Sequence, residues 1–149
     1  MNFQEFEEKC DIIREKNYEY INLFQADLIQ HNLSIKTINR HTDNVDFYLN
    51  VFLLREDLVT MERGCGSWFI EDFFGYFFIC KCMWSTPGSI KTTASSIKKF
   101  YKCMLNHDKI KKEQYDYLCE TIKYGMGNWV SDCERYNNYD ESNPFNPFA

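Results

Sequence analysis

The side chains with the most evident chemistry in this chain are four lysines between Trp84 and Leu105, in the stretch WSTPGSIKTTASSIKKFYKCML. At helical spacing Lys91, Ser95, Lys98 and Lys102 share one face, and Lys99 lies beside them. Ile90, Ala94, Ile97, Tyr101 and Met104 recur on another face, with Phe100 widening that stripe. A helix of this kind buries one side and presents ammonium groups and hydroxyls on the other. The stretch is also the most positive part of an acidic chain. Residues 86–112 hold seven lysines against Asp108, while the net charge of the 149 residues is −5. Residues 1–32 and 113–149 each hold seven acids against three and two bases. Binding of an anion depends on the field at one surface rather than on net charge, so a local positive face can still bind. The alternatives are a solvated helix face and a face neutralised by the acidic ends folding back onto it.

Other chemistries lack their residue patterns. There is no glycine-rich phosphate loop, metal-ligand box or nucleophile elbow, so no enzyme activity and no cofactor are expected. Asp43 with Asp46, and Glu71 with Asp72, are acids at ordinary helix-surface spacing. Cys80 and Cys82 form a C-x-C with Cys65 upstream, whereas zinc normally needs C-x-x-C pairs or nearby histidines, so no metal site is expected. Seven cysteines, an odd number at irregular spacing, read as reduced and mostly buried thiols. His31 and His107 fall at expected helix ends, and His41 reads more readily as a polar or core-edge histidine than as a ligand. The acidic N-terminus does not resemble a signal peptide, and no apolar run reaches 18 residues. No membrane span is therefore expected, and a cytoplasmic location is the default.

The elements that must position these groups read as helices. Aromatic content is 17%, and the three prolines sit at 87, 144 and 147, leaving long helices uninterrupted before Pro87. A first helix runs from near Phe3 to about His31, with a phase shift around Asn17 that predicts a bend or two helices in sequence. Tyr20, Leu23, Phe24 and Ile29 supply its later apolar spacing, and Asn32 suits the left-handed position after its end. Ser34 caps a second helix, polar and partly basic at its start (Lys36, Asn39, Arg40, His41). That helix becomes apolar nearly all round towards Leu54. Residues 55–66 read as a short connecting turn of helix broken at Gly64 and Gly66. Ser67 caps a third helix, Trp68 to about Met83, whose aromatic density predicts burial on more than one side. Gly75 allows a close helix crossing there. A strand reading of GYFFICKCMW fails because no second strand appears to pair with it.

The lysine helix follows, with Thr86 or Ser89 as N-cap and Pro87 suited to the first helical position. Asn106–Asp108 make a turn. A fifth helix spans about Lys111 to Tyr124, Gly125 and Gly127 punctuate, and a short helix spans Asn128 to about Arg135. The expectation is an all-α single domain of five to six helices over residues 1–136. An irregular tail with two N-P-F triplets occupies 137–149.

Two of these helices resemble the core-binding domain of tyrosine recombinases, the phage integrases. In that family one helix carries a pattern "sxkTixrhxxxlxxFl" and a later one "sxxsixxxlsalrxFYkxl". Here the first reads LSIKTINRHTDNVDFYLNVFLL, residues 33–54, and the second TPGSIKTTASSIKKFYKCML, residues 86–105. The resemblance covers roughly residues 5–110. It implies an orthogonal, SAM-like bundle in which two helices approach the major groove of duplex DNA. Carried across by position, the implied DNA contacts are Lys36, Thr37, Arg40 and His41 on the second helix. On the lysine helix they are Ser89, Lys91, Thr92, Ser95, Lys98 and Lys99, with Lys102 on the same face. Lysine and arginine neutralise phosphates, and short hydroxyls bond phosphate oxygens. Arg40 alone among these suits bidentate readout of a base. The family's catalytic domain has no counterpart here, since nothing after Lys112 has the length to hold it, and a nucleophilic tyrosine would need an arginine-lined phosphate site. A non-catalytic DNA-binding module is the expectation. The alternative is a helical protein-interaction or homodimerisation module, its apolar excess on the second and third helices.

Overall fold

The computed structural model describes residues 1–81 and 85–142, and the side chains of 1–80 and 85–138. Among them every regular element is helical. Helix α1 spans Phe3–Gln30 and α2 spans Ile35–Asp46, with a π-helical turn Phe47–Phe52 continuing α2. A 3-10 turn Arg63–Cys65 leads to α3, Ser67–Asp72, and a second π-helical turn Phe73–Phe77 joins α3 to α4, Phe78–Lys81. Helix α5 spans Pro87–Asn106 and α6 spans Lys112–Ser142. Counted as continuous rods, these are five helices. The expected C-x-C partner Cys82, the end of the third helix at Met83 and the N-P-F triplets lie outside the described residues.

The rods pair as two helical hairpins. Helices α1 and α2 run antiparallel, with Asn17 donating to Asn50 Oδ1 at 2.8 Å and Cys10 Sγ reaching the Leu54 carbonyl at 4.0 Å. Asn32 turns the chain between them at φ 60°, a conformation that asparagine tolerates better than most residues. Helices α5 and α6 form the second hairpin, turned at Asp108 with φ 58°. Lys102 there meets Tyr115, and Asn137 at the far end donates to the Ser85 carbonyl at 3.2 Å.

The core between the hairpins is aromatic. Phe73 is its hub, with ring centroids 4.9 Å from Tyr48, 4.9 Å from Phe52 and 4.8 Å from Phe74. Two tyrosine hydroxyls tie the 58–66 loop to this core: Tyr48 donates to the Gly64 carbonyl and Tyr101 donates to Met61 O at 2.8 Å. Gly64 is required by that closeness, since a Cβ would stand 2.5 Å from Leu53 Cδ1 and 2.7 Å from Tyr101 Oη.

Several sequence expectations are corrected. Helix α1 is unbroken through Asn17, because the phase shift marks a buried polar contact to Asn50 and not a bend. Leu28 is buried, and Ile29, expected inward, is exposed. Gly66 occupies the N-cap of α3, and Ser67 instead bonds Thr121 Oγ1 at 2.9 Å. Trp68 and Tyr76 lie exposed on the expected buried rod. Gly125 and Gly127 do not punctuate. One helix passes through both and beyond the expected boundary at 136, because Gly125 makes room for the Trp129 ring. Trp129 stacks on Phe74 at 5.1 Å and meets Gly75, the close crossing expected there.

Candidate functional site

Helix α5 starts where its local chemistry dictates. Thr86 has extended backbone and its Oγ1 accepts from the Ser89 N–H at 3.0 Å, while Ser89 Oγ accepts from the Thr86 N–H at 2.7 Å. This reciprocal box satisfies two donors that a helix start otherwise leaves open. Pro87 fills a position where no N–H is needed. From this start the apolar stripe Ile90, Ala94, Ile97, Tyr101 and Met104 is driven into the core. The lysine face is left outward.

That face lines an open groove of about 780 Å³ between α1, α5 and α6. Lys91, Ser95, Lys98, Lys99 and Lys102 come from α5. Phe24, Asp27, Leu28 and His31 come from α1, and Tyr115, Ile122 and Met126 from α6. Lys91, Lys98 and Lys99 are exposed. Among the described residues no ion pair joins them to a carboxylate. The acids of α1 pair instead along their own helix, Asp11 with Arg14 and Glu19 with Lys16, each at 3.0 Å. Lys102 holds its Nζ 5.2 Å from the Tyr115 ring centroid. One carboxylate, Asp27, lines the groove against four lysines, and its Oδ2 lies 3.8 Å from His31 Nδ1. Asp27 is close enough for its charge to add to the burial that pushes the Cys103 thiol up to about 11.

Leu33, just before the start of α2, also lines the groove, but the basic residues of that start do not. Ser34 Oγ accepts from the Thr37 N–H at 3.2 Å and donates to Thr37 Oγ1 at 3.0 Å, so Thr37 belongs to the cap. Lys36 and Arg40 are exposed, with no ion pair among the described residues. Neither lines the groove.

Helices α2 and α5 meet at His41. Its Nδ1 lies 2.7 Å from Ser96 Oγ, Asn44 donates to the same oxygen at 3.1 Å, and Ser96 donates onward to the Thr92 carbonyl at 3.1 Å. The serine proton is committed to Thr92, so the network assigns a proton to His41 Nδ1. His41 is 4% exposed. Burial first, then the charges of Arg40 and Lys99, hold its pKa below the ordinary 6.5. Arg40 and Lys99, from different helices, are both close enough for their charges to act on His41.

The site residues expected from sequence divide accordingly. Lys91, Ser95, Lys98, Lys99 and Lys102 come together in the groove, and Arg40 lies outside its lining. Lys36 and Thr37 do not line the groove. His41 is corrected: it is a buried pin between two helices, with no surface to offer a base edge. The hydroxyl of Ser89 closes the helix cap, and that of Thr92 donates to the Gly88 carbonyl at 3.0 Å. The sequence reading missed Asp27, Tyr115 and Met126, the opposing walls. Tyr115 was legible as an inward position of the last helix, but nothing local says that it faces the lysines. Comparison with protein-family models, with curated proteins and with solved structures finds no match to this chain.

Proposed function

We propose that this protein is a non-catalytic DNA-binding module, built like the core-binding domain of a tyrosine recombinase, that holds duplex DNA through α5 and the start of α2. The observation that carries this reading is the set of exposed cations with no ion pair among the described residues: Lys91, Lys98 and Lys99 on α5, with Lys36 and Arg40 on α2. Lysines meet phosphates as point charges, and Arg40 offers the planar fork that reads guanine. The buried thiols Cys10, Cys65, Cys103 and Cys133 suit a reducing, cytoplasmic setting.

The test is fluorescence anisotropy with labelled duplex DNA across a salt series. Five cations contacting five phosphates give a slope of log K against log salt of about −4.5, or roughly 500-fold weakening from 50 to 200 mM. Lys91→Glu and Lys98→Glu each flatten the slope. Absence of binding at 50 mM salt, or a salt-independent affinity, rejects the reading.

A second reading rests on a different surface. Tyr117 and Tyr124 stand exposed beside Glu71 and Glu120 in a groove between α3 and α6. An exposed aromatic patch of this kind suits a protein partner or a second copy of the chain. Light scattering that shows a concentration-dependent mass, with no DNA binding, would select it.

A further inference from the structure

The groove between α1, α5 and α6 has a chemistry that phosphate contacts alone do not require. Its walls are cationic on the α5 side, while its floor and far wall are apolar: Phe24, Leu28, Ala94, Ile122 and Met126. Met126 and Tyr115 are half-buried, so part of that wall is open to a ligand. The lining residues of α5 run from Lys91 to Asn106, about 22 Å at 1.5 Å per residue. A volume of about 780 Å³ over that length gives a cross-section of roughly 35 Å². A single extended hydrocarbon chain fits. The volume also lies within the range of about 300–1,000 Å³ usual for small-molecule sites.

Charge decides how such a ligand would lie. Asp27 stands towards the Cys103 end, where the neighbouring cation Lys102 holds its Nζ 5.2 Å from the Tyr115 ring centroid. Lys91 and Lys98 flank Ser95 towards the other end, offering two cations and a hydroxyl donor.

We propose that this groove binds a monomeric long-chain organic anion, its alkyl chain along the half-buried Met126 and Tyr115 and its head group on Lys91, Ser95 and Lys98. The proposal stands on the groove itself and does not depend on DNA binding. A bound chain would cover the lysines, so ligand and duplex would compete.

The experiment is calorimetric titration of the full chain with inorganic phosphate, n-butyl phosphate and n-dodecyl phosphate, each below its micellar concentration. Each seated methylene is worth about fourfold in affinity, so dodecyl phosphate should bind at least a hundredfold more tightly than butyl phosphate. Lys98→Glu should weaken both dodecyl phosphate and duplex DNA at least tenfold. Met126→Gln should weaken dodecyl phosphate by a similar factor and, adding no charge, leave duplex binding unchanged, with thermal unfolding confirming that both variants are folded. Where Met126→Gln fails to fold, Met126→Ala carries the same comparison. Equal affinities for butyl and dodecyl phosphate overturn the proposal, as does binding only to phospholipid vesicles. Amphiphile binding without duplex binding upholds it and rejects the DNA reading alone.

Discussion

Gly125 and Gly127 lie two positions apart on the same helix, and alanine should have opposite effects at them. Neither has a positive φ, so alanine meets no backbone strain at either site. Both replacements gain roughly 0.8–1 kcal/mol of helix propensity. At Gly127 nothing lies within 4 Å of the new Cβ, so that gain stands. At Gly125 the Cβ would sit 2.5 Å from Trp129 Cε2 and 2.7 Å from Cη2. The ring cannot swing away freely, since it is stacked on Phe74 and its Nε1 lies 3.2 Å from a Cβ position at Gly75. Overpacking costs about 1–3 kcal/mol, and losing the stack adds about 0.5–1.5. The net effect is a loss of about 0.5–4 kcal/mol for Gly125→Ala, against a gain of about 0.8–1 for Gly127→Ala. At about 2–4 °C per kcal/mol for a chain of this size, Tm should fall by roughly 1–16 °C in the first variant and rise by roughly 2–4 °C in the second. Thermal and urea unfolding measure both. Equal shifts in the two variants would refute the packing argument and favour a helix broken between them.

Other outcomes follow from the buried polar contacts. His41 has a folded pKa below 6.5, so the unfolded chain takes up a proton that the folded chain refuses. Stability should therefore be full above about pH 6.5 and decline as pH falls below it. Urea midpoints at pH 5 and pH 7 should show this, and His41→Gln, which keeps a donor for Ser96, should flatten that part of the slope. Asn17→Ala removes the donor to Asn50 Oδ1 at a position 1% exposed. It should destabilise the α1–α2 hairpin by about 1–3 kcal/mol in urea unfolding, whereas a surface change such as Asn22→Ala should move it by less than about 0.5.

Much of the helical architecture could be read from neighbouring residues, and the misses share one cause. The cap at Ser34 and the turn at Asn32 were legible because each is made by side chains and backbone within a few positions. So were Thr86 with Pro87, and the outward lysines of α5. Asn17 and Gly125 were misread because their environment comes from side chains that pack against them in the folded chain. A polar residue on an apolar face looks like a phase break until Asn50 is seen to receive it. A glycine looks like a helix end until a tryptophan ring is seen to need its space.

The candidate site divides along the same line. By itself the sequence determined that one helix would carry lysines on its solvent side, since apolar periodicity and a proline-marked start are local properties. Only the tertiary structure decided that this face would become the wall of a groove. Only the tertiary structure, too, decided that His41 would be enclosed by Ser96, 55 positions away. The hydrophobic effect that drives the two hairpins together is non-directional, so which side chains end up facing one another is settled by packing between distant segments.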